Sequence, residues 1–196
     1  MRVLVVYCHP CADSFNAATR DAVLSGLRRG GHEVRLIDLY REGFEPVMSE
    51  AERRLYHDPV RNREPVDEHL DHLSWADGLV FVYPTWWFGL PAMLKGWLDR
   101  VFVPHVTFEL PVNGRPARPL MTHISRIAVV TTCGASWFVS KLMGEPGRKT
   151  LLRGIRSVCA GNCRTLYLAH YKMDSSTRES RLRYLRRIER ALSRFA

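Results

Sequence analysis

Val3-Leu4-Val5-Val6-Tyr7, followed at once by Cys8-His9-Pro10-Cys11-Ala12-Asp13-Ser14-Phe15-Asn16, is the stretch whose reading decides the fold. An uninterrupted apolar, β-branched run of this length is the pattern of a strand covered on both faces. The polar turn after it leads into a helix predicted over 14–29, capped by Asp13 or Ser14 and stopped by Gly30-Gly31. A second strand is predicted over 33–39. Working outward, Leu79-Val80-Phe81-Val82-Tyr83 and Ile127-Ala128-Val129-Val130 repeat the buried-strand pattern, and 165–169 gives a weaker fifth strand.

Helical periodicity fills the gaps. Pro91 suits a first helical position, and Leu94, Trp97, Leu98 and Val101 fall on one apolar face. Near the C-terminus Leu185, Ile188, Leu192 and Phe195 share a face ringed by arginines. Strands alternating with helices predict an α/β chain with a doubly wound parallel sheet in three layers. Two polar, proline-bearing stretches break the alternation. Residues 44–76 read as an excursion with one or two short helices ending near Trp75, and 103–123 as a loop turning at Asn113-Gly114. The 196 residues suit a single domain, 1–196, with no internal repeat.

Composition removes several function classes. No apolar run reaches the roughly 18 residues of a membrane span, and the first residues read as a strand rather than a signal peptide, so a cytoplasmic protein is expected. Five cysteines, an odd number, argue against a disulfide framework. The net charge of +9 is uneven, because residues 164–196 carry nine Arg or Lys against three acids, 9 − 3 = +6. The arginines of the final helix come without interleaved exposed aromatics or a known module, so no nucleic-acid partner is expected.

In an open parallel sheet a ligand sits beyond the carboxyl ends of the strands, where their order reverses. Three segments qualify. After the first strand, His9, Ser14, Phe15, Asn16 and Ala17 offer backbone amides, a hydroxyl and an amide at a helix start, suited to a phosphate; the alternative is that Ser14 merely caps and Asn16 faces water. After the third, Pro84, Thr85, Trp86, Trp87 and Phe88 place three consecutive aromatics in a loop too short to bury them all, suited to a planar aromatic ligand or a second subunit. After the fourth, Thr131, Thr132, Cys133 and Gly134 let backbone and hydroxyl groups approach a heteroaromatic edge.

Together these segments resemble the NAD(P)H:quinone oxidoreductase (DT-diaphorase) family of flavodoxin-like flavoproteins. The most specific stretch runs from Tyr83-Pro84-Thr85-Trp86-Trp87-Phe88-Gly89-Leu90-Pro91-Ala92 through Lys95-Gly96-Trp97 to Asp99-Arg100-Val101-Phe102. His9-Pro10 with Ser14-Phe15-Asn16 matches the family's first phosphate loop, and Thr131-Thr132 with Gly134 its third loop; the resemblance covers about residues 2–135 and becomes vague afterwards. It implies a flavodoxin-like fold of strand order 2-1-3-4-5 and a homodimer holding FMN or FAD at the subunit interface. It further implies NAD(P)H as co-substrate and a quinone-like acceptor. It places 9 and 14–17 at the flavin phosphate region, 84–88 along the isoalloxazine and 131–134 at its pyrimidine edge. Longer relatives carry a tyrosine and a histidine after the third loop. Here Trp137-Phe138-Val139-Ser140-Lys141-Leu142-Met143 holds neither, so no catalytic side chain is assigned.

Three other readings compete. Cys8 and Cys11 have the spacing of a thiol-disulfide oxidoreductase. Cys8, Cys11, Cys159 and Cys163 offer two pairs for zinc, but the second pair's spacing is loose and both pairs lie beside apolar segments, so the reading is set aside and no metal is expected. A regulatory flavoprotein subunit of a membrane transporter would use the basic C-terminal helix against an acidic partner or lipid surface.

Overall fold

The computed structural model describes residues 1–112 and 114–195. In chain order the elements are β1 (Arg2–Tyr7), α1 (Phe15–Arg29), β2 (Glu33–Asp38), α2 (Glu50–Leu55), α3 (Asp67–Trp75), β3 (Gly78–Thr85) and α4 (Ala92–Val101). They continue with β4 (Phe108–Glu109), β5 (Arg118–Pro119), β6 (Arg126–Cys133), α5 (Trp137–Leu142), α6 (Pro146–Lys149), β7 (Arg164–His170) and α7 (Arg178–Leu192). The main sheet is parallel in the order β2-β1-β3-β6-β7, which is the predicted 2-1-3-4-5 order once the small β4–β5 ladder is set aside.

Each strand sends alternate side chains to opposite faces, as the pleat requires. Val3, Val5, Val80, Val82, Ala128 and Val130 face α1 and α7, meeting Val23, Leu27, Tyr184, Ile188 and Leu192. Leu4, Val6, Leu79, Phe81, Ile127 and Val129 face the other layer, meeting Leu70, Leu94, Trp97 and Leu151. On that side Gly96 lets α4 press against the chain at Pro46: a Cβ there would lie 2.1 Å from the Pro46 carbonyl oxygen.

Several boundaries differ from the sequence reading. β3 and β6 run further than predicted, to Thr85 and Cys133, carrying the candidate loop residues onto rigid strand ends. Pro84 is tolerated there because its missing N–H faces the side where β1 has already ended, the last β1 pair being Tyr7 with Val82. Pro91 is the cap before α4 rather than its first residue. Ile188, Leu192 and Phe195 form the buried C-terminal stripe as predicted, but Tyr184 rather than the part-buried Leu185 begins it. Residues 44–76 hold α2, a 3₁₀ turn at Arg61–Val66 and α3, which ends at Trp75 as predicted. The loop over 103–123 contains β4 and β5, which were not predicted, and the turn predicted at Asn113-Gly114 includes Asn113, outside the described residues. Among the described residues, no helix is long and apolar enough to cross a membrane.

Candidate functional site

Three loops leave the carboxyl ends of β1, β3 and β6, and hydrogen bonds tie them together. The Asn16 side-chain amide donates to Thr132 Oγ1 at 2.8 Å, joining the first loop to the third. Thr85 Oγ1 and Thr131 Oγ1 are 2.9 Å apart, and the Cys133 thiol donates to Thr85 Oγ1 at 3.2 Å, joining the second to the third. Asn16, Thr131, Thr132 and Cys133 are all buried. Between the second and third loops lies a cleft of about 260 Å³ lined by Thr85, Trp87, Phe88, Cys133, Gly134 and Ser140, with no residue of the first loop in its wall.

The first loop is built as a helix entrance. Ser14 caps α1, its Oγ accepting from Ala17 N at 3.1 Å, so the capping half of the alternative holds. The other half does not: Asn16 faces the buried interior, and its Oδ1 has no hydrogen-bond partner. The backbone amides of Phe15 and Asn16 have no acceptor among the described residues, and the first turn of α1 carries no acid. A buried polar atom without a partner, such as Asn16 Oδ1, is costly and rare, while the two open amides are donors of the kind every helix start leaves free. Phe15 packs edge-on against His170, with centroids 5.8 Å apart, and Ala17 is buried under the loop.

His9 stands partly apart. Its Nδ1 accepts from Cys11 N at 3.0 Å, and burial pulls its pKa down, leaving a neutral ring. It lines a separate cleft of about 360 Å³ with Tyr7, Arg20, Asp38 and Tyr40, over the ends of β1 and β2. The Cys11 anchor turns the ring that way, though it stays 6.3 Å from the Trp86 ring.

The second loop stores backbone strain. Trp87 and Phe88 adopt φ values of 47° and 60°, closed by Gly89 N donating to Trp86 O at 2.9 Å. Two successive bulky residues in the left-handed region cost of order 1–3 kcal/mol each, a cost met mainly at functional sites. The turn holds Trp87 96% exposed and Trp86 42% exposed, while Pro84 is buried in β3. On the third loop, a Cβ at Gly134 would come within 2.9 Å of Asp174 Oδ2, so only glycine fits without displacing that carboxylate.

The sequence reading missed what stands beside this cleft. Ser136 caps α5, which turns Ser140 into the cleft and leaves Trp137, Phe138 and Leu142 exposed. A capping serine before an aromatic run was the available signal. Glu145 is buried in the left-handed region at φ 46°, where no sequence signal exists for it. It accepts from Lys141 Nζ at 2.6 Å, Arg148 Nη1 at 2.8 Å and Tyr171 OH at 2.9 Å. Burial pushes this carboxyl up, but the three donors outweigh it and hold it below the usual glutamate range.

Neither cysteine reading gains support. Cys8 is buried in the strand continuation, and burial pushes its thiol up to about 12, which removes its thiolate at neutral pH. α1 begins at Phe15, four residues past Cys11, too far to lend that thiol its dipole. No group of three or more His, Cys, Asp or Glu able to hold a metal occurs among the described residues, so the four cysteines proposed for zinc are not brought together.

Comparison with known proteins agrees with the fold. A family model described as flavodoxin-like fold matches residues 1–191. Over 124 residues the chain is 35% identical to NAD(P)H dehydrogenase [quinone] 1 of Cavia porcellus, covering 52% of this chain and 42% of that protein. Over 117 residues it is 36% identical to the uncharacterized NAD(P)H oxidoreductase YcaK of Escherichia coli, covering 57% and 60%. The chain thus matches about half the length of the curated relatives, 42% and 60% in these two cases. Among solved structures, an NAD(P)H:quinone oxidoreductase from Methanothermobacter marburgensis superposes with a TM-score of 0.81 at 27% identity, covering 98% of this chain and 96% of that one. The predicted resemblance is borne out, and the chain belongs to the flavodoxin-like fold family.

Proposed function

We propose that this protein is a flavin-dependent NAD(P)H oxidoreductase that passes electrons to quinone-like acceptors, acting as a single-domain cytoplasmic homodimer. One observation carries the reading. Three strand ends are cross-bonded through Asn16–Thr132 and Thr85–Thr131, which sets the open amides of the α1 entrance beside a cleft walled by the strained Trp87–Phe88 turn and by Cys133 and Gly134. A phosphate-tailed planar ring needs that combination, and the orphaned Asn16 Oδ1 supplies an acceptor for a ribityl-type hydroxyl. The residues present therefore fit FMN or FAD.

A bound flavin supplies the hydride chemistry, which no side chain of the site offers. Ser14, Phe15, Asn16 and Ala17 hold the phosphate end, with His9 reaching toward the neighbouring cleft where an adenosine extension has room. Pro84, Thr85, Trp86, Trp87 and Phe88 lie along the ring, and Thr131, Thr132, Cys133 and Gly134 meet its polar edge. Trp87 and Phe88 orient the dinucleotide and then the acceptor by stacking, a proximity contribution rather than acid–base catalysis. The cleft of about 260 Å³ falls short of the roughly 300–1,000 Å³ of enclosed ligand sites. The exposed Trp87, Trp137, Phe138 and Leu142 around it suit closure by a second copy of this chain.

Names of relatives support the same reaction class. The test is NADH and NADPH oxidation by the flavin-loaded protein with menadione as acceptor, in the presence and absence of dithiothreitol. Flavin-dependent turnover indifferent to thiol is expected. No turnover with either dinucleotide, or turnover that requires thiol, would overturn the proposal.

A further inference from the structure

The wall of the cleft continues into a second concavity of different character. Glu145 and Arg148 line a small cavity that also borders Thr85, Phe88 and Cys133, so it adjoins the candidate flavin site. The same two residues line a basin of about 300 Å³ completed by Lys149, Leu152, Arg153, Arg156 and Thr165. Four cations thus face one carboxylate. That carboxylate, Glu145, is already held by Lys141, Arg148 and Tyr171 and has little charge left to offer.

The backbone explains how the cations converge. Residues 146–158 form one continuous helical segment that changes pitch twice. α6 passes into a π turn at Thr150–Gly154 and then a 3₁₀ turn at Ile155–Val158. Bonds of i→i+5 type bring residues five apart toward one another, and residues three apart eclipse in a 3₁₀ turn. Arg148 and Arg153 are five apart, and Arg153 and Arg156 three apart, so all three fall on the basin side. π turns inside helices occur frequently at functional sites.

Two of the cations are fixed in place. Arg156 Nε donates to Cys163 O at 2.8 Å, and the Arg148 guanidinium lies 4.8 Å from the Tyr167 ring centroid while bonding Glu145. Lys149 and Arg153 are exposed and make no ion pair or side-chain hydrogen bond among the described residues. A concavity lined by fixed guanidiniums with two unengaged cations at its mouth concentrates positive potential and fits a doubly charged phosphate monoester.

We propose that this basin receives the 2′-phosphate of NADPH, which makes Lys149 and Arg153 specificity-determining residues favouring NADPH over NADH. The inference rests on the oxidoreductase reading for its ligand, and on the basin alone for its phosphate chemistry. The test uses the flavin-loaded protein and two readouts: calorimetric binding of adenosine 2′,5′-bisphosphate, 5′-AMP and inorganic phosphate, and KM for both dinucleotides with menadione. The bisphosphate is expected to bind at least about tenfold more tightly than either other probe, since a charge-assisted bond contributes at least about one decade in affinity. Arg153→Gln and Lys149→Gln, both at exposed positions, should each remove most of that margin. Each should raise KM for NADPH about tenfold and leave KM for NADH unchanged.

Equal binding of bisphosphate and AMP would overturn the proposal, and so would inorganic phosphate binding as tightly as the bisphosphate. Menadione reduction with both dinucleotides, coupled to an Arg153→Gln protein whose NADPH KM is unaltered, would overturn the basin assignment and leave the oxidoreductase reading standing. Arginine-dependent selection of the bisphosphate by a protein that oxidises neither dinucleotide would do the opposite, supporting the phosphate site and removing the activity.

Discussion

Replacing Asn16 with leucine separates what the loops need to fold from what they need to bind. In the cofactor-free protein three effects compete. Losing the 2.8 Å bond to Thr132 costs about 1 kcal/mol. Leaving the buried Thr132 hydroxyl without its partner costs about 1–3 kcal/mol, while removing the orphaned Oδ1 returns a similar amount. The two larger contributions offset, and leucine keeps the branching and heavy-atom count of asparagine, so Asn16→Leu should destabilise the cofactor-free protein by only about 1 kcal/mol. The flavin complex is different, because there Oδ1 has its partner and nothing is returned. Flavin affinity should fall at least about tenfold, equivalent to about 1.4 kcal/mol. Urea denaturation with and without saturating FMN or FAD measures both, since a ligand stabilises the fold according to its affinity. A variant that loses about 3 kcal/mol without flavin, yet binds flavin as the parent does, would refute the reasoning and make Asn16 a purely structural residue.

Trp87→Gly relieves a left-handed bulky residue that is 96% exposed, so it should raise stability by about 1 kcal/mol while lowering menadione turnover, read by thermal melting beside kinetics. Glu145 has its folded pKa held below the ordinary glutamate value of 4.5, so its stabilisation is present above that value and is lost as pH falls through the lower folded value. Glu145→Gln should therefore cost about 2 kcal/mol at neutral pH, allowing for the partial exposure of Lys141 and Arg148, and the deficit should shrink in urea titrations as pH is taken below the ordinary glutamate range. Gly96→Ala forces a Cβ to within 2.1 Å of a backbone oxygen and should cost more than about 3 kcal/mol, visible as a lowered urea midpoint or insoluble protein. Cys8→Ala combined with Cys11→Ser should leave quinone reduction intact; its loss would reopen the thiol reading.

The sheet was legible because buried parallel strands write themselves as unbroken apolar runs, and three such runs, with two weaker edge strands and helical periodicity between them, admit few topologies. The Ser14 cap and the exposed Trp87 were readable for local reasons, a hydroxyl before a helix and too many aromatics for one short loop. The inward turn of Asn16 was not, since its partner Thr132 lies 116 residues away and only the folded sheet brings them together. Nor was Glu145, whose three donors come from α5, α6 and the residue after β7. The double change of helical pitch over 146–158 leaves no periodic signature, which is why that segment gave no prediction.

The central claim is that the loops after β1, β3 and β6 form one flavin-holding cleft. Titrating the cofactor-free protein with FMN and with FAD, while following flavin fluorescence and tryptophan quenching together, tests it most directly. One flavin per chain is expected, with quenching of the Trp86–Trp87 emission that disappears when both are replaced by phenylalanine. Failure of both flavins to bind, or binding without any change in those tryptophans, would contradict the account.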